Sequence, residues 1–264
     1  MPAEIVEKLP EPTLLRPARW PEGCGALMTT RVGGVSRGVF ATLNLRPQGD
    51  APEDAVAVAE NRRRFAATLS AAPVFLEQVH GTRVVRLEAG DGAHGLPPAR
   101  ADASITTASG LACTVLVADC LPVLFATRDA KAVGAAHAGW RGLAGGVLEA
   151  TVEALREATQ VGPGDIVAWL GACIGPDAFE VGDDVREAFD ADETRHFRAA
   201  PAREGRRKWF ADLPALAAGR LRRLGLVDIE TSGLCTASDA SRFFSYRREG
   251  LTGRQAAAAW IDAV

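Results

Sequence analysis

The chain has 264 residues, a length that can bury a sizeable core and that suits one large domain or two small ones. Its 47% hydrophobic and 24% charged residues are ordinary for a globular protein, and a net charge of −3 provides no overall basic field for nucleic acid. No apolar run reaches the roughly 18 residues of a membrane helix, and the acidic, proline-containing N-terminus is unlike a signal peptide. We therefore expect a cytoplasmic protein that binds neither nucleic acid nor a membrane.

The first half of the chain is predicted to begin with an irregular segment over residues 1–22, because prolines are frequent there. Strands are then predicted at 25–31, 73–81 and 82–88, and a helix at 61–71. The glycines and prolines of 91–103 predict a loop.

The second half contains the most apolar segments of the chain. They predict buried strands within 111–129, 131–139 and 165–176, helices at 143–159, 183–191 and 213–226, and a terminal hairpin formed by 242–249 and 254–261. Continuous apolar strands indicate a sheet that is covered on both faces. The prediction is an α/β fold, layered as α+β: a single domain over 1–264 with a mixed β-sheet flanked by helices.

Three side chains with metal-binding or nucleophilic chemistry are predicted to lie at strand ends. His80 precedes the glycine that ends the segment QVHG, Cys120 follows Asp119 after an apolar run, and His137 ends the run AVGAAH. Strand ends are where α/β proteins assemble sites, although each histidine taken alone is more often structural. The other two histidines, His94 and His196, lie in polar or glycine-rich segments and are predicted at the surface.

Two chemistries would suit these three residues if the strands are neighbours. One is a zinc site with two imidazoles, one thiolate and an open fourth position, which is the catalytic pattern. The other is a cysteine nucleophile activated by histidine without a metal. The intervals of 40 and 17 residues form no compact motif, so spacing does not choose between them. The chain has five cysteines, an odd number that argues against a disulfide framework.

Eight segments from Thr29 to the C-terminus together resemble the laccase-domain family. They are TTRVGGVSRGVFATLNL, EQVHGTRV, ADASIT, VADCLPVLF, VGAAHAGWRGL, LGACIGP, FEVGDDV and SYRREGLTGRQAAAAWI. That family is described first as polyphenol oxidase and later as purine nucleoside phosphorylase, and one bacterial branch is called the peptidoglycan editing factor. Its members often carry cysteine where this chain has Phe179. That position is outside the three candidate ligands, so we expect no effect on the chemistry.

The resemblance implies a zinc site held by His80, Cys120 and His137, which would also be the catalytic residues, with copper possible in the same position. It implies phosphorolysis of adenosine, inosine, guanosine and methylthioadenosine, together with deamination of adenosine, so that the partners are purine nucleosides and phosphate. The substrate-binding residues that it implies are Arg31, Asn44, Asp119, Arg141 and Arg247. Asp119 is also a candidate for proton transfer or for supporting a ligating histidine, unless its side chain points away from the site. We expect a monomer.

The histidine count limits what the word laccase means for this chain. A multicopper oxidase needs a blue site and a three-copper cluster that is ligated mainly by imidazoles, and four histidines are too few for both. The histidine count excludes only the multicopper enzyme, and three alternatives to the purine nucleoside enzyme stay open. They are a single-copper polyphenol oxidase, a metal-free Cys–His hydrolase that acts on peptidoglycan precursors, and a non-catalytic fold with a structural zinc or a partner-binding role.

Overall fold

The computed structural model describes residues 7–46, 53–92 and 97–263. In these residues the strands, in chain order, are β1 (Leu14–Leu15), β2 (Cys24–Thr29), β3 (Ala72–Val74), β4 (Val84–Leu87), β5 (Ala103–Thr106), β6 (Leu111–Val117), β7 (Leu121–Thr127), β8 (Val133–Ala138), β9 (Ile166–Leu170), β10 (Glu180–Val181), β11 (Phe197–Arg203), β12 (Arg206–Ala211), β13 (Asp228–Thr231) and β14 (Gln255–Ile261). The helices are α1 (Ala55–Thr68), α2 (Trp140–Gly145), α3 (Val147–Thr159), α4 (Asp183–Arg186), α5 (Leu213–Arg223) and α6 (Tyr246–Glu249). No helix among them is long and apolar enough to cross a membrane.

The strands of the described residues form two large sheets and one small sheet. The first large sheet has the order β1-β2-β14-β6-β3, and the second has the order β13-β9-β7-β8-β5-β4. The small sheet has the order β10-β12-β11. Parallel pairs, such as β9 with β13, occur beside antiparallel pairs, such as β7 with β8, so both large sheets are mixed. The prediction of a mixed α/β fold flanked by helices is confirmed, and the structure divides the strands between two large mixed sheets and a small one.

Four layers explain why the strands are apolar on both faces. Met28 and Val115 from the first large sheet pack against Leu124 and Trp169 from the second. The opposite face of the second sheet is covered by α3 and α5, while Phe65 of α1 covers the outer face of the first. Each central strand therefore lies between two apolar layers, and alternation of polar and apolar residues is unnecessary. This confirms the expectation of sheets that are covered on both faces.

Several predicted boundaries differ from those in the structure. The helix predicted at 61–71 begins at Ala55, where the side chain of Asp54 accepts a hydrogen bond from Val56 N and caps the first turn. The helix predicted at 143–159 is instead the pair α2 and α3. Gly146, with φ of 100°, breaks the helical path between them.

The two ends of the chain also differ from the prediction. The terminal hairpin is wrong, because residues 246–249 form α6 and β14 is inserted between β2 and β6. Of the irregular segment predicted over 1–22, residues 1–6 lie outside the described residues, and the rest contains β1, which pairs with β2. Residues 93–96 of the loop predicted over 91–103 also lie outside the described residues.

Candidate metal centre

Two loops and one strand of the second large sheet bring His80, Cys120 and His137 together. His137 is the penultimate residue of β8, and Cys120 lies in the turn between β6 and β7, as the sequence indicated. His80 differs from its prediction: β3 ends at Val74, so His80 lies in the following loop rather than at a strand end. The strands are near neighbours, because β7 pairs with β8.

The three side chains have the spacing of a metal site. Their ligand atoms all lie within 4.8 Å of one another, and Cys120 Sγ is 3.8 Å from His80 Nε2. The two imidazole rings meet edge to face with centroids 4.7 Å apart. Around tetrahedral zinc with ordinary bond lengths, neighbouring nitrogen and sulfur ligands are separated by about 3.3–3.6 Å. A small contraction of this group would therefore enclose an ion, and the donor set of two imidazoles and one thiol suits zinc or copper.

A buried carboxylate, that of Asp102, holds two of the three candidate ligands in place. It is fully buried, and its Oδ1 accepts hydrogen bonds from His80 N at 2.8 Å and from His137 Nδ1 at 2.8 Å. Its Oδ2 accepts from Val79 N at 3.1 Å and from Gly81 N at 2.7 Å. Because Nδ1 of His137 carries the donated proton, its Nε2 keeps the lone pair that a metal requires.

The charges of the group favour the ligating forms. Burial raises the pKa of the Cys120 thiol, but the charge and hydrogen bonds of His137 and His80 outweigh burial and lower the pKa to about 6. Burial lowers the pKa of His137, but the Cys120 thiolate and Asp102 outweigh burial and raise it to about 9. The two shifts agree: His137 and His80 favour the thiolate of Cys120, which is the form that ligates a metal.

Gly139 has no side chain and so keeps open the space between these candidate ligands. A Cβ atom at this position would lie 3.0 Å from Cys120 Sγ and 3.0 Å from His80 Cδ2. Any side chain here would press on two of the three candidate ligands. Gly142 serves a different purpose, because a Cβ there would lie 2.9 Å from the carbonyl oxygen of Gly81, so it permits close packing of α2 against the His80 loop.

A cavity of about 500 Å³ opens onto the three ligands. Its wall carries guanidinium groups and aromatic rings as well as aliphatic side chains. The arginines are Arg46, Arg247 and Arg254, and the aromatic residues are Trp140, Phe179 and Tyr246. Burial lowers the pKa of Arg254, and the nearby charge of Arg46 lowers it further, so two cations share one part of the wall.

Of the five predicted substrate residues, two line the cavity and three lie outside its wall. Asp119 and Arg247 line the cavity. Asn44 is fully buried and does not line it, but its Oδ1 accepts from Arg46 N and Arg254 N and so positions two residues that do. Arg31 lies outside the wall, where it pairs with Glu249 at 2.9 Å and donates to Ala41 O at 2.8 Å.

The fifth of these residues, Arg141, also lies outside the cavity wall. Its guanidinium stacks over the Trp140 ring at 4.2 Å, and Trp140 in turn lines the cavity. Phe179 lies outside the metal ligands, as expected, but it is in the cavity wall with the guanidinium of Arg247 over its ring at 5.4 Å. Phe179 therefore lines the cavity without being one of the candidate metal ligands.

Asp119 does not contact the histidines, so it does not provide the predicted support of a ligating histidine. Its carboxylate accepts from Thr236 Oγ1 at 2.6 Å, Ser245 Oγ at 2.9 Å and Arg247 N at 2.7 Å. These contacts hold Asp119 at φ of 91°, an unusual value for a residue other than glycine. The supporting role belongs to Asp102, which the sequence reasoning missed.

Arg46 and Arg254 were missed as well. The only signal for Asp102 was a carboxylate at the start of an apolar strand, where a charged residue needs buried partners. The other two histidines do not join the site: His94 lies outside the described residues, and His196 is half-buried at the end of a 3₁₀ helix, Ala191–His196.

Sequence and structure comparisons identify the family. The family model described as "Multi-copper polyphenol oxidoreductase laccase" matches residues 25–262. The chain belongs to this family. In the described residues one group of side chains could hold a metal ion, that of His80, Cys120 and His137. Together with the four histidines of the sequence, this supports a single metal position rather than a multicopper array.

Relatives of known name and structure extend along nearly the whole chain. A Pseudomonas aeruginosa protein named purine nucleoside phosphorylase is 48% identical over 90% of this chain and 93% of its own length. Purine nucleoside phosphorylase YfiH from Escherichia coli is 46% identical over 92% of this chain and 97% of its own. The crystal structure of a Neisseria meningitidis protein of family-model DUF152 superposes with a TM-score of 0.84 at 41% identity, and covers 95% of this chain and 100% of that one. YlmD from Geobacillus stearothermophilus superposes with a TM-score of 0.84 at 31% identity, and covers 98% and 99%.

Proposed function

We propose that this protein is a zinc-dependent purine nucleoside phosphorylase. The observation that carries the proposal is the cavity itself, in which a His₂Cys ligand group faces the same space as three arginines and three aromatic rings. The names of the relatives at 46–48% identity support the same reaction class. We further infer that adenosine, inosine, guanosine and methylthioadenosine are substrates, and that adenosine is also deaminated.

The ligand group would hold zinc through three protein atoms. These are His80 Nε2, Cys120 Sγ and the His137 nitrogen that faces Cys120. Bound there, zinc would supply a Lewis acid with one open coordination position. Asp102 fixes the His137 ring through Nδ1 and restrains the His80 backbone, so both imidazoles are oriented before any ligand arrives.

The arginines of the wall would bind phosphate. The Nη1 atom of Arg247 donates to the carbonyl oxygens of Ala178 and Glu180, which leaves its other nitrogens for the cavity. Arg254 is close enough to Arg46 and Cys120 for their charges to act on its pKa, so the cationic part of the wall lies near the metal ligands. Two mutually repelling guanidinium groups are stabilised by an anion between them, and phosphate matches their forked donors.

The aromatic residues would bind the nucleoside. Trp140 and Phe179 supply flat apolar faces for a purine base, and Tyr246, which is 63% exposed, stands nearer to solvent. A base that lies on these rings and a phosphate that lies on the arginines would leave the ribose between them. That placement brings C1′ and the attacking phosphate oxygen into one region, which is the requirement for phosphorolysis.

The test combines metal analysis with a nucleoside assay on one protein sample. We expect about one zinc per chain and release of free base that depends on phosphate, with ribose 1-phosphate as the second product. Ammonia release from adenosine measures the deamination separately. Stoichiometric zinc with no phosphate-dependent base release from any of the four nucleosides would refute the proposal. Stoichiometric copper with oxygen consumption on a phenol would favour the single-copper oxidase instead.

One observation favours a second candidate, the metal-free Cys–His hydrolase acting on peptidoglycan precursors. Cys120 Sγ lies 3.8 Å from His80 Nε2 in the cavity wall, which is the pairing of nucleophile and base that such a hydrolase requires. Alkylation distinguishes the two functions. Zinc should protect Cys120 from iodoacetamide and a chelator should expose it, whereas the hydrolase predicts an alkylation rate that neither reagent changes.

A further inference from the structure

A second cavity, of about 380 Å³, has two cysteines in its wall. The segment 171–178 separates the two cavities: Ile174 lines the first, while Cys173 and Gly175 line the second. Cys235 also lines the second cavity, on the loop that follows β13. Neither cysteine is a candidate metal ligand, and nothing in the proposed phosphorylase reaction uses them.

The sulfur of Cys235 is surrounded by hydrogen-bond donors. Gly175 N donates to Sγ at 3.1 Å, and Ser238 Oγ donates to Sγ at 3.2 Å. A Cβ at position 175 would lie 3.2 Å from the sulfur, so a glycine allows this close approach. Burial raises the pKa of Cys235, but the donors from Ser238, Gly175 and the backbone of Ala237 outweigh burial and lower it. Donors on a sulfur stabilise the thiolate, which is the nucleophilic form.

Cys173 lies directly beside Cys235. The two residues are partners in an isolated parallel β-bridge, in which Cys173 N donates to Leu234 O and Thr236 N donates to Cys173 O. Paired residues of adjacent strands are about 4.8 Å apart and direct their side chains to the same face. Disulfides span Cα separations of about 4.4–6.8 Å, so this backbone spacing suits a cross-link.

We propose that Cys235 and Cys173 form a second functional site, a thiol pair that a hydroperoxide converts to an intramolecular disulfide. In the first step, the Cys235 thiolate attacks the O–O bond of the hydroperoxide. An S–O bond forms, the O–O bond breaks, and the leaving oxygen takes a proton from solvent. Cys235 is oxidised by two electrons to the sulfenic acid, and the peroxide is reduced.

In the second step, the sulfur of Cys173 attacks the sulfur of Cys235. The S–S bond forms, the S–O bond breaks, and the leaving hydroxide takes the proton of the Cys173 thiol and departs as water. Cys173 is 1% exposed and burial raises its pKa, so it stays a thiol until the sulfenic acid forms beside it. The half-buried Cys235 reacts first and the buried Cys173 resolves it.

The experiment treats the zinc-supplemented full chain with a few equivalents of hydrogen peroxide, alkylates the remaining thiols and maps the peptides by mass spectrometry. We expect one cross-link, between the peptides of Cys173 and Cys235, with the intact mass lower by two hydrogens. In Cys173→Ser the cross-link is lost and dimedone captures a sulfenic acid on Cys235. In Cys235→Ser both products are lost. Cys24→Ser is the matched control and keeps the cross-link, because burial raises the pKa of Cys24 to about 11.

Ser238→Ala tests the role of the donors without removing either sulfur. The loss of the hydroxyl donor at 3.2 Å should lower the second-order rate constant for peroxide. Oxidation of Cys120 before Cys235 would overturn the proposal. So would a sulfenic acid on Cys235 that persists in the unsubstituted chain without a cross-link, or a rate that Ser238→Ala leaves unchanged. None of these results depends on nucleoside turnover.

Discussion

Replacing Asp102 with asparagine should weaken the metal site far more than its small change in shape suggests. The carboxylate accepts four hydrogen bonds, two on each oxygen. Asparagine offers one oxygen and one NH₂ group that cannot accept, so in either orientation two of the four bonds are lost. Each is a bond to a charged acceptor worth about 1.5–3 kcal/mol, so the free energy of unfolding should fall by about 3–6 kcal/mol.

The effect on the metal follows from the His137 tautomer. If the amide NH₂ faces His137, the ring must accept at Nδ1 and carry its proton on the other nitrogen, which then cannot ligate. If the amide oxygen faces His137, the backbone N–H groups of Val79 and Gly81 lose their acceptor and the His80 loop is released. Either way we expect zinc affinity to fall at least 10–100-fold.

The assay measures two quantities on Asp102→Asn. Urea denaturation in the presence of a chelator reports the stability of the metal-free protein, and competition with a chromogenic chelator reports zinc affinity. Asp119→Asn is the matched control. Two of its three partners are hydroxyls that can turn to accept from an amide, and its carboxylate touches no histidine. It should therefore keep the zinc affinity of the unsubstituted protein within about twofold, which is well below the effect expected when a hydrogen bond to a ligating histidine is lost. Unchanged zinc affinity in Asp102→Asn would refute the reasoning.

Four further predictions concern the ligands, the cavity and the core. Cys120→Ala should abolish turnover while circular dichroism shows an unchanged fold; retained activity would remove Cys120 from the site. Gly139→Ala should weaken zinc binding, measured by the same competition, because its Cβ would lie 3.0 Å from the Cys120 sulfur. Arg254→Met should raise the KM for phosphate and leave the KM for nucleoside nearly unchanged; the reverse pattern would place phosphate elsewhere. Glu193→Gln should lower the free energy of unfolding by about 1.5–3 kcal/mol at pH 7, because it removes the nearer of the two carboxylates that pair with the buried guanidinium of Arg220 and leaves only Glu149 at 3.3 Å. Burial raises the pKa of Glu193, but the hydrogen bonds of Arg220 outweigh burial and lower it from 4.5 to about 2. The stabilisation is therefore complete above pH 4.5 and is lost as the pH falls toward 2, so urea denaturation at pH 7 and pH 3 should show the difference between the two proteins shrinking.

Strands that are covered on both faces were predictable from the sequence, because a continuous apolar run has no polar face to turn toward solvent. The run at 111–117 and that at 121–127 are strands β6 and β7, and every residue in them is buried. The segment at 73–81 was not predictable to the same extent. Its apolar residues resemble a strand, but only Ala72–Val74 forms a strand, paired with β6, and beyond it the segment has only the isolated bridge of Glu77 with Arg100. The terminal hairpin failed for the same reason, since β14 pairs with β2 and β6 from distant parts of the chain.

The sequence by itself determined the layered α/β fold class and the three candidate metal ligands, because residue type and apolar runs are local properties. Tertiary structure alone decided what supports those side chains. Asp102 is 35 residues from His137 and 22 from His80, and no spacing rule connects them. Arg46 and Arg254 likewise meet at one wall because Asn44 binds both backbones across 210 residues of chain. The burial of a carboxylate and the meeting of two cations depend on which distant segments pack together. Those contacts form only when the two large sheets pack against each other.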